Sequence, residues 1–225
     1  MTITLINLYN EMTGQAWSMF DGDVESAEEF EKSVTTSIQK ALGNLWLSYK
    51  FPFRYKTNLL KTKTGKSNYP TPNGNIVTKN INNKKVYMVK LDSKFLSYNQ
   101  DLEIAQKTTG KPESFYIDAA KDEIVLCPTP NAIYNVEVDY WTIFPAVSKQ
   151  HFPKATLEKE DDQINVPEKY ERLFLNALLP LAMTYAIASE TDENYAGYYS
   201  QYKDAYRQLL EYSQSVASEK SIGYR

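Results

Sequence analysis

The sequence predicts an α+β fold: a helical bundle formed by N- and C-terminal helices, with an antiparallel β domain inserted between them. Three observations carry this. Apolar residues recur at helical spacing before residue 50 and again after residue 167. Two-residue alternation of apolar and polar side chains appears in the middle. Turns rich in Gly, Asn and Pro cluster in the same middle stretch. The organisation that follows is 1–53 for the N-terminal helices, 54–150 for the inserted β domain and 151–225 for the C-terminal helices, ending in a loose tail.

The first element is read from Leu5, Leu8, Tyr9 and Met12, spaced to share one helix face. Asp21-Gly22-Asp23 breaks the pattern. Ser26 and Glu29 then fit a capping box, in which each side chain satisfies a free amide at a helix start. Phe30, Val34, Ile38, Leu42, Leu45 and Tyr49 form the apolar stripe of a second, longer helix. Pro52 ends it, because the residue before a proline is pushed out of the helical region.

Residues 61–75 are turn-rich. Lys84 to Leu91 reads as one strand between Asn82-Asn83 and Asp92-Ser93. Phe115 and Ile117 alternate with Tyr116 and Asp118, and Glu123 to Leu126 returns as a second strand. Pro128-Thr129-Pro130-Asn131 cannot continue a ladder, since proline donates no amide hydrogen, and forces another reversal. Tyr134, Val136, Val138 and Tyr140 then point one way, and Asn135, Glu137 and Asp139 the other. The expectation is an antiparallel meander with one buried face and one wet face.

Pro167 sits well for a first helical position, and a helix is expected from Glu168 to about Glu190, with a kink at Pro180. Tyr195, Tyr199, Tyr202, Tyr206, Leu209, Leu210 and Val216 line one face of a last helix. Residues 218–225 show no periodicity and read as a tail that a partner would order.

Composition excludes several classes. The chain has 225 residues, net charge −3 and one cysteine, so no internal disulfide framework and no Cys-rich zinc site can form. It lacks the overall basic excess of a protein that grips phosphates. The start has no basic n-region, so no secretory signal is expected. The most apolar run, Leu173 to Ala188, is short for a membrane span and is interrupted by Asn176 and Pro180. A soluble protein made inside the cell is expected, with no membrane partner. Eighteen tyrosines against eight glycines suit interfaces, since Tyr joins a large apolar body to a polar tip. Drift in an AT-rich genome would enrich Tyr as well.

No catalytic or metal constellation emerges, and no cofactor is implied. His151 is the single histidine and falls in a polar loop, so a Ser-His-Asp or Cys-His arrangement would have to use it. Cys127 reads as a small buried apolar residue. Gly65-Lys66-Ser67 resembles the end of a phosphate-binding loop, but Leu60 stands where that loop needs glycine. Counted from Asp21, a calcium loop would need Gly and Glu at positions held by Ser26 and Lys32. Glu158, Glu160, Asp161 and Asp162 read as a solvated loop. The basic run Arg54 to Lys66, with Tyr55 interleaved, reads as an exposed loop; tracking a nucleic-acid backbone is the alternative.

With the elements placed, the chain resembles head-to-tail connector proteins of tailed bacteriophages. The likeness is to the tail tubular protein A type of short-tailed phages and to the ring proteins of crAss-like phages. It rests on Gly110-Lys111-Pro112, the Ser114–Asp118 strand, the strand ending in Pro128-Thr129-Pro130, the strand ending in Tyr140-Trp141, and the helix opened by Pro167-Glu168. It covers residue 110 to about 188.

The resemblance implies a non-enzymatic virion protein at the head–tail junction, assembled in the host bacterial cytoplasm. It implies a homo-oligomeric ring, commonly about twelve copies. Its neighbours would be the portal protein and the next tail or ring protein, with phage DNA passing through the lumen without specific binding. Tyr195, Tyr199, Tyr202 and Tyr206, with the tail Ser221, Ile222, Gly223, Tyr224 and Arg225, are the expected contact residues. Other readings stay open: another tail component, a second connector ring or a tail completion protein; a carbohydrate-binding module using Tyr134, Tyr140 and Trp141; or an enzyme built on two carboxylates.

Overall fold

The computed structural model describes residues 3–16, 27–99, 108–187 and 193–222. The fold is α+β: helices from both chain ends flank a sheet-rich middle. The chain divides into two compact units, Met1–Phe53 with Ile143–Arg225, and Arg54–Thr142.

In the first unit, α1 spans Leu5–Ala16, α2 Ala27–Ser48, α3 Glu168–Ala186 and α4 Glu193–Ile222. The capping serine, Ser26, lies outside the described residues, as does Asp21-Gly22-Asp23. Glu28 and Glu29 occupy the first turn of α2, where a negative charge complements the helix dipole. Phe30, Val34, Ile38, Leu42 and Leu45 are all buried, as the spacing predicts. They share one core with Tyr170, Phe174, Ala177 and Leu178 of α3 and with Leu209 and Val216 of α4.

The Phe51-Pro52-Phe53 segment both stops α2 and fills this core. The rings of Phe51 and Phe53 stack at 5.1 Å. Phe174 meets Trp46 edge-on at 6.4 Å and Phe53 at 6.1 Å. α3 starts at Glu168, as the sequence suggests, with Pro167 as its N-cap. The helix passes through Pro180 and closes at Ala186, short of Glu190. Residues 188–192 are not among those described.

Residues 143–167 also belong to this unit. Ala146–Val147 pairs with Pro153–Lys154 and with Gln163–Ile164 in a small three-stranded sheet. The acidic loop beside it is not simply solvated, because Asp162 is buried. Its Oδ2 accepts hydrogen bonds from Lys154 Nζ at 2.5 Å, Glu158 N–H at 2.7 Å and Lys159 N–H at 2.9 Å. Three donors converging on one oxygen make a buried carboxylate tolerable.

In the second unit the strands are β1 (Tyr55–Lys61), β2 (Asn68–Pro70), β3 (Gly74–Ile76), β4 (Thr78–Ile81), β5 (Lys84–Tyr87), β6 (Val89–Leu91) and β7 (Lys94–Phe95). They continue as β8 (Ser97–Tyr98), β9 (Thr109–Gly110), β10 (Ser114–Asp118), β11 (Glu123–Cys127), β12 (Thr129–Pro130) and β13 (Asn135–Thr142). The pairing is mainly antiparallel, with short parallel pairs β8–β10 and β9–β12.

Four expectations need correction. The basic run from Arg54 is no exposed loop: Tyr55–Lys61 is a strand, paired along its whole length with β13. Lys84 to Leu91 is two strands. The chain leaves the β4–β5 ladder at Met88, and β6 joins β13. The meander holds only for the β10–β11 hairpin, because the Pro128-to-Asn131 corner delivers β13 to a different sheet. There β13 lies between β1 on one side and β3 and β6 on the other. Finally, the polar face of β13 is not wet at Asp139. This carboxylate is buried, accepts a hydrogen bond from Thr57 Oγ1 at 2.7 Å and lies 3.6 Å from Lys90 Nζ.

The alternation of β13 survives these changes. Val136 and Val138 enter a core with Val89, Leu91, Phe115, Ile124 and Leu126, with Tyr134 packed at its margin. The reverse face of the hairpin is covered as well, where Tyr116, Val125 and Cys127 form a smaller buried cluster.

Candidate assembly surfaces

The tyrosines of α4 follow from helix geometry. Residues 195, 199, 202 and 206 step by four, three and four, so each ring stands over the next. Tyr195 and Tyr199 stack at 5.9 Å, Tyr199 and Tyr202 lie 6.2 Å apart, and Tyr202 and Tyr206 5.6 Å apart. Tyr199 is the open rung, 38% exposed, with Lys203 Nζ 4.3 Å from its ring centroid. Tyr202 and Tyr206 pack against the helical core. Burial, then Tyr206, Tyr185 and Tyr199, push the Tyr202 phenol up to about 12. It stays protonated at neutral pH, a hydrogen-bond donor and not a base.

The inward face of α4 is centred elsewhere than the sequence suggests. Tyr198, Tyr202, Ala205, Leu209, Tyr212 and Val216 alternate steps of four and three and meet the core. The predicted ladder shares Tyr202 with that seam, and Tyr206 also packs against the core. The sequence offers two overlapping tyrosine stripes with the same spacing, and spacing alone does not single out Tyr198 and Tyr212. Tyr212 meets Tyr170 edge-on at 5.1 Å.

The tail also differs from expectation. Ser221 and Ile222 form the last turn of α4. Between Ser213 and Ile222 the sequence contains neither Gly nor Pro, and each added residue gains a helical hydrogen bond without a new nucleus. Gly223, Tyr224 and Arg225 lie outside the described residues.

A second surface of the helical unit is an open groove of about 450 Å³. It is lined by apolar Ile3, Leu8 and Leu175 and by acidic Glu11, Glu168 and Glu171, among others. No sequence signal marks it, since its walls come from opposite ends of the chain.

The remaining candidates do not converge. Tyr140 and Trp141 are successive residues of β13 and point to opposite faces of the strand, so they form no single stacking platform. Trp141 meets Tyr55 edge-on at 5.3 Å, and the Tyr134 hydroxyl donates to Asn131 Oδ1 at 2.7 Å. His151 is exposed in a turn with φ 62°. Cys127 is buried, which pushes its thiol up to about 11, away from the reactive thiolate. Gly65 sits in an exposed turn with φ 77°, closed by the Tyr69 hydroxyl on the Lys66 carbonyl at 2.8 Å. Among the described residues, no three His, Cys, Asp or Glu side chains are grouped to hold a metal ion. Also among them, no helix is long and apolar enough to cross a membrane.

What distinguishes this molecule is therefore contact surface, the mark of a structural protein with an inserted β unit. Residues 16–221 match the family model of the SU10 adaptor protein, and the chain belongs to that family. It is a structural adaptor of a bacteriophage virion, of a class that is not normally enzymatic and that works by contact with other virion components. No curated protein matches the chain.

Proposed function

We propose that this adaptor forms a ring at the head–tail junction, joining the portal protein to the next tail or ring protein. The match over residues 16–221, spanning both units, carries the proposal. About twelve copies would close the ring, since heterologous contacts repeat until the rotation closes. Phage DNA would pass through the lumen without sequence-specific binding, and assembly would take place in the host cytoplasm.

The ladder of half-buried Tyr195, Tyr202 and Tyr206 with exposed Tyr199 supports a lateral subunit contact: large rings held in place present apolar area at little entropic cost. Ser221 to Arg225 would extend that contact to the portal. The opposed faces of Tyr140 and Trp141 weigh against a carbohydrate platform.

The test is the mass of the purified chain in solution, alone and with the portal ring of the same phage, by native mass spectrometry. Assembly into a ring on the portal is expected. A chain that stays monomeric and ignores the portal would overturn the junction role and point to another tail position.

A further inference from the structure

The net charge of −3 conceals an uneven distribution. From Arg54 to Leu91 the chain carries nine Lys and Arg and no Asp or Glu. Most of this segment is built into sheets, but one part stands clear of them. β4 and β5 pair only with each other. Their base is tied to the β unit through Val77 N–H on the Asp139 carbonyl at 2.9 Å and Asp139 N–H on the Met88 carbonyl at 3.0 Å. Val77 and Met88 are buried, while every residue from Thr78 to Lys85 is exposed. Asn82 and Asn83 close the tip at φ 50° and 60°, both left-handed, the signature of a tight two-residue hairpin turn.

The lysines of this ribbon are arranged on two sides. Lys79 lies opposite Val86, Asn80 opposite Lys85, and Ile81 opposite Lys84. Directly paired residues share a face and successive residues alternate, so Lys79 and Lys84 stand on one face and Lys85 with Asn80 on the other. Among the described residues none of the three is ion-paired with a carboxylate. Lys85 Nζ lies 5.4 Å from the Tyr87 ring.

We propose that the β4–β5 ribbon binds the phosphate backbone of duplex DNA by entering its groove, without reading sequence. A flat acidic protein surface would be met by lysines on one face. Lysines on both faces suit a partner with negative charge on both sides, and the two backbones that wall a DNA groove supply that. The dimensions agree: a four-residue strand reaches about 14 Å, and the major groove, about 12 Å wide and 8.5 Å deep, admits a two-stranded ribbon. Net charge does not forbid the contact, because charges more than about 8–10 Å away are screened at physiological salt. Only a few phosphates are neutralised per ribbon, so a single chain binds weakly and the DNA remains free to slide. The proposal uses the adaptor's place in a DNA-containing virion and does not require a ring.

The test is fluorescence anisotropy of the full-length chain with a labelled mixed-sequence duplex of about 30 base pairs, from about 50 to 300 mM salt, repeated on a single strand of equal length. The expected result is binding that falls linearly in log–log form with salt and favours the duplex. The variant K79Q/K84Q/K85Q, its fold checked by circular dichroism, should lose at least about tenfold at low salt and flatten the slope by about 2–3. K79R/K84R/K85R should keep both. Absence of binding at low salt overturns the proposal, as does equal binding of the Gln variant, which would mean the lysines only guard the ribbon's open edges. Equal affinity for the single strand overturns the groove seat. A Gln variant that binds DNA normally but no longer associates with itself or the portal makes the partner an acidic protein surface instead.

Discussion

In the helical unit, α2 and α3 send Phe30, Val34, Ile38, Phe174 and Leu178 into one continuous core. In the β unit, buried side chains divide between a larger cluster around Phe115 and Val136 and a smaller one around Cys127, with charged Asp139 between strands. The two differ in charge as well. Arg54–Thr142 holds thirteen Lys and Arg against nine Asp and Glu, and the remainder twelve against nineteen. The comparison separates two ways of making a stable unit: one large apolar core, or small cores fastened by polar pairs and close backbone contacts.

Deleting a ring from the helical core should have the largest effect. Phe174 is fully buried among Trp46, Phe51 and Phe53, so Phe174→Ala should cost about 3–5 kcal/mol. Urea unfolding followed at the helical circular dichroism band measures it. A loss below about 1 kcal/mol would mean that the core collapses around the gap and is less continuous than it looks.

The β unit should instead be sensitive at a glycine. A Cβ on Gly74 would collide with the Trp141 carbonyl oxygen and lie 2.8 Å from Tyr140 Cδ2. Gly74→Ala therefore forces β3 away from β13, at about 1–3 kcal/mol. Loss of amide protection at Asn75 and Trp141, which pair across β3 and β13, would show it in hydrogen exchange; unchanged protection would mean the strand pair yields without opening.

Asp162 brings the polar strategy into the helical unit. Burial alone would raise its pKa, but the bonds from Lys154, Lys159 N–H and Glu158 N–H outweigh it and hold the carboxyl below its usual range. The folded pKa is depressed, so the stabilisation is present above the unfolded value near 4 and is lost as pH falls through the folded value. Asp162→Asn should cost about 1–3 kcal/mol at pH 7. The gap to the parent chain should close as pH drops below about 4. A gap that persists in acid would assign the effect to shape and not to charge.

The smallest stability effect is expected at Tyr199, the exposed rung of the ladder. Tyr199→Ala should change monomer stability by under about 0.5 kcal/mol. Its effect should instead appear in subunit association by light scattering. A large loss of stability with association unchanged would make the ladder an internal brace.

Legibility in the sequence followed the range of the interactions. The α2 stripe could be read because each apolar residue implies the next three or four positions on, within one segment. The β10–β11 hairpin could be read for the same reason, its turn and both strands being contiguous. The partners of β13 could not, because Leu60 meets Val136 and Leu91 meets it from the other side, across long intervals that no local pattern encodes. Asp162 and Asp139 looked like solvent-facing acids because their stabilising donors come from folding and not from neighbours in the pattern. On α4 the tyrosine periodicity was plain, but which of two overlapping stripes turns inward depends on where α3 packs.

The first and last strands of the β unit are hydrogen-bonded neighbours. Tyr55 pairs with Trp141, and Arg54 Nε donates to the Thr142 carbonyl at 3.2 Å. The polypeptide thus leaves on this excursion and comes back through one doorway. Seen from the helices, eighty-nine residues amount to a short staple. Such a module can be shortened, lengthened or exchanged for another without rerouting the rest of the chain, so lineages that must fit different neighbours can alter this part while the helices stay as they are.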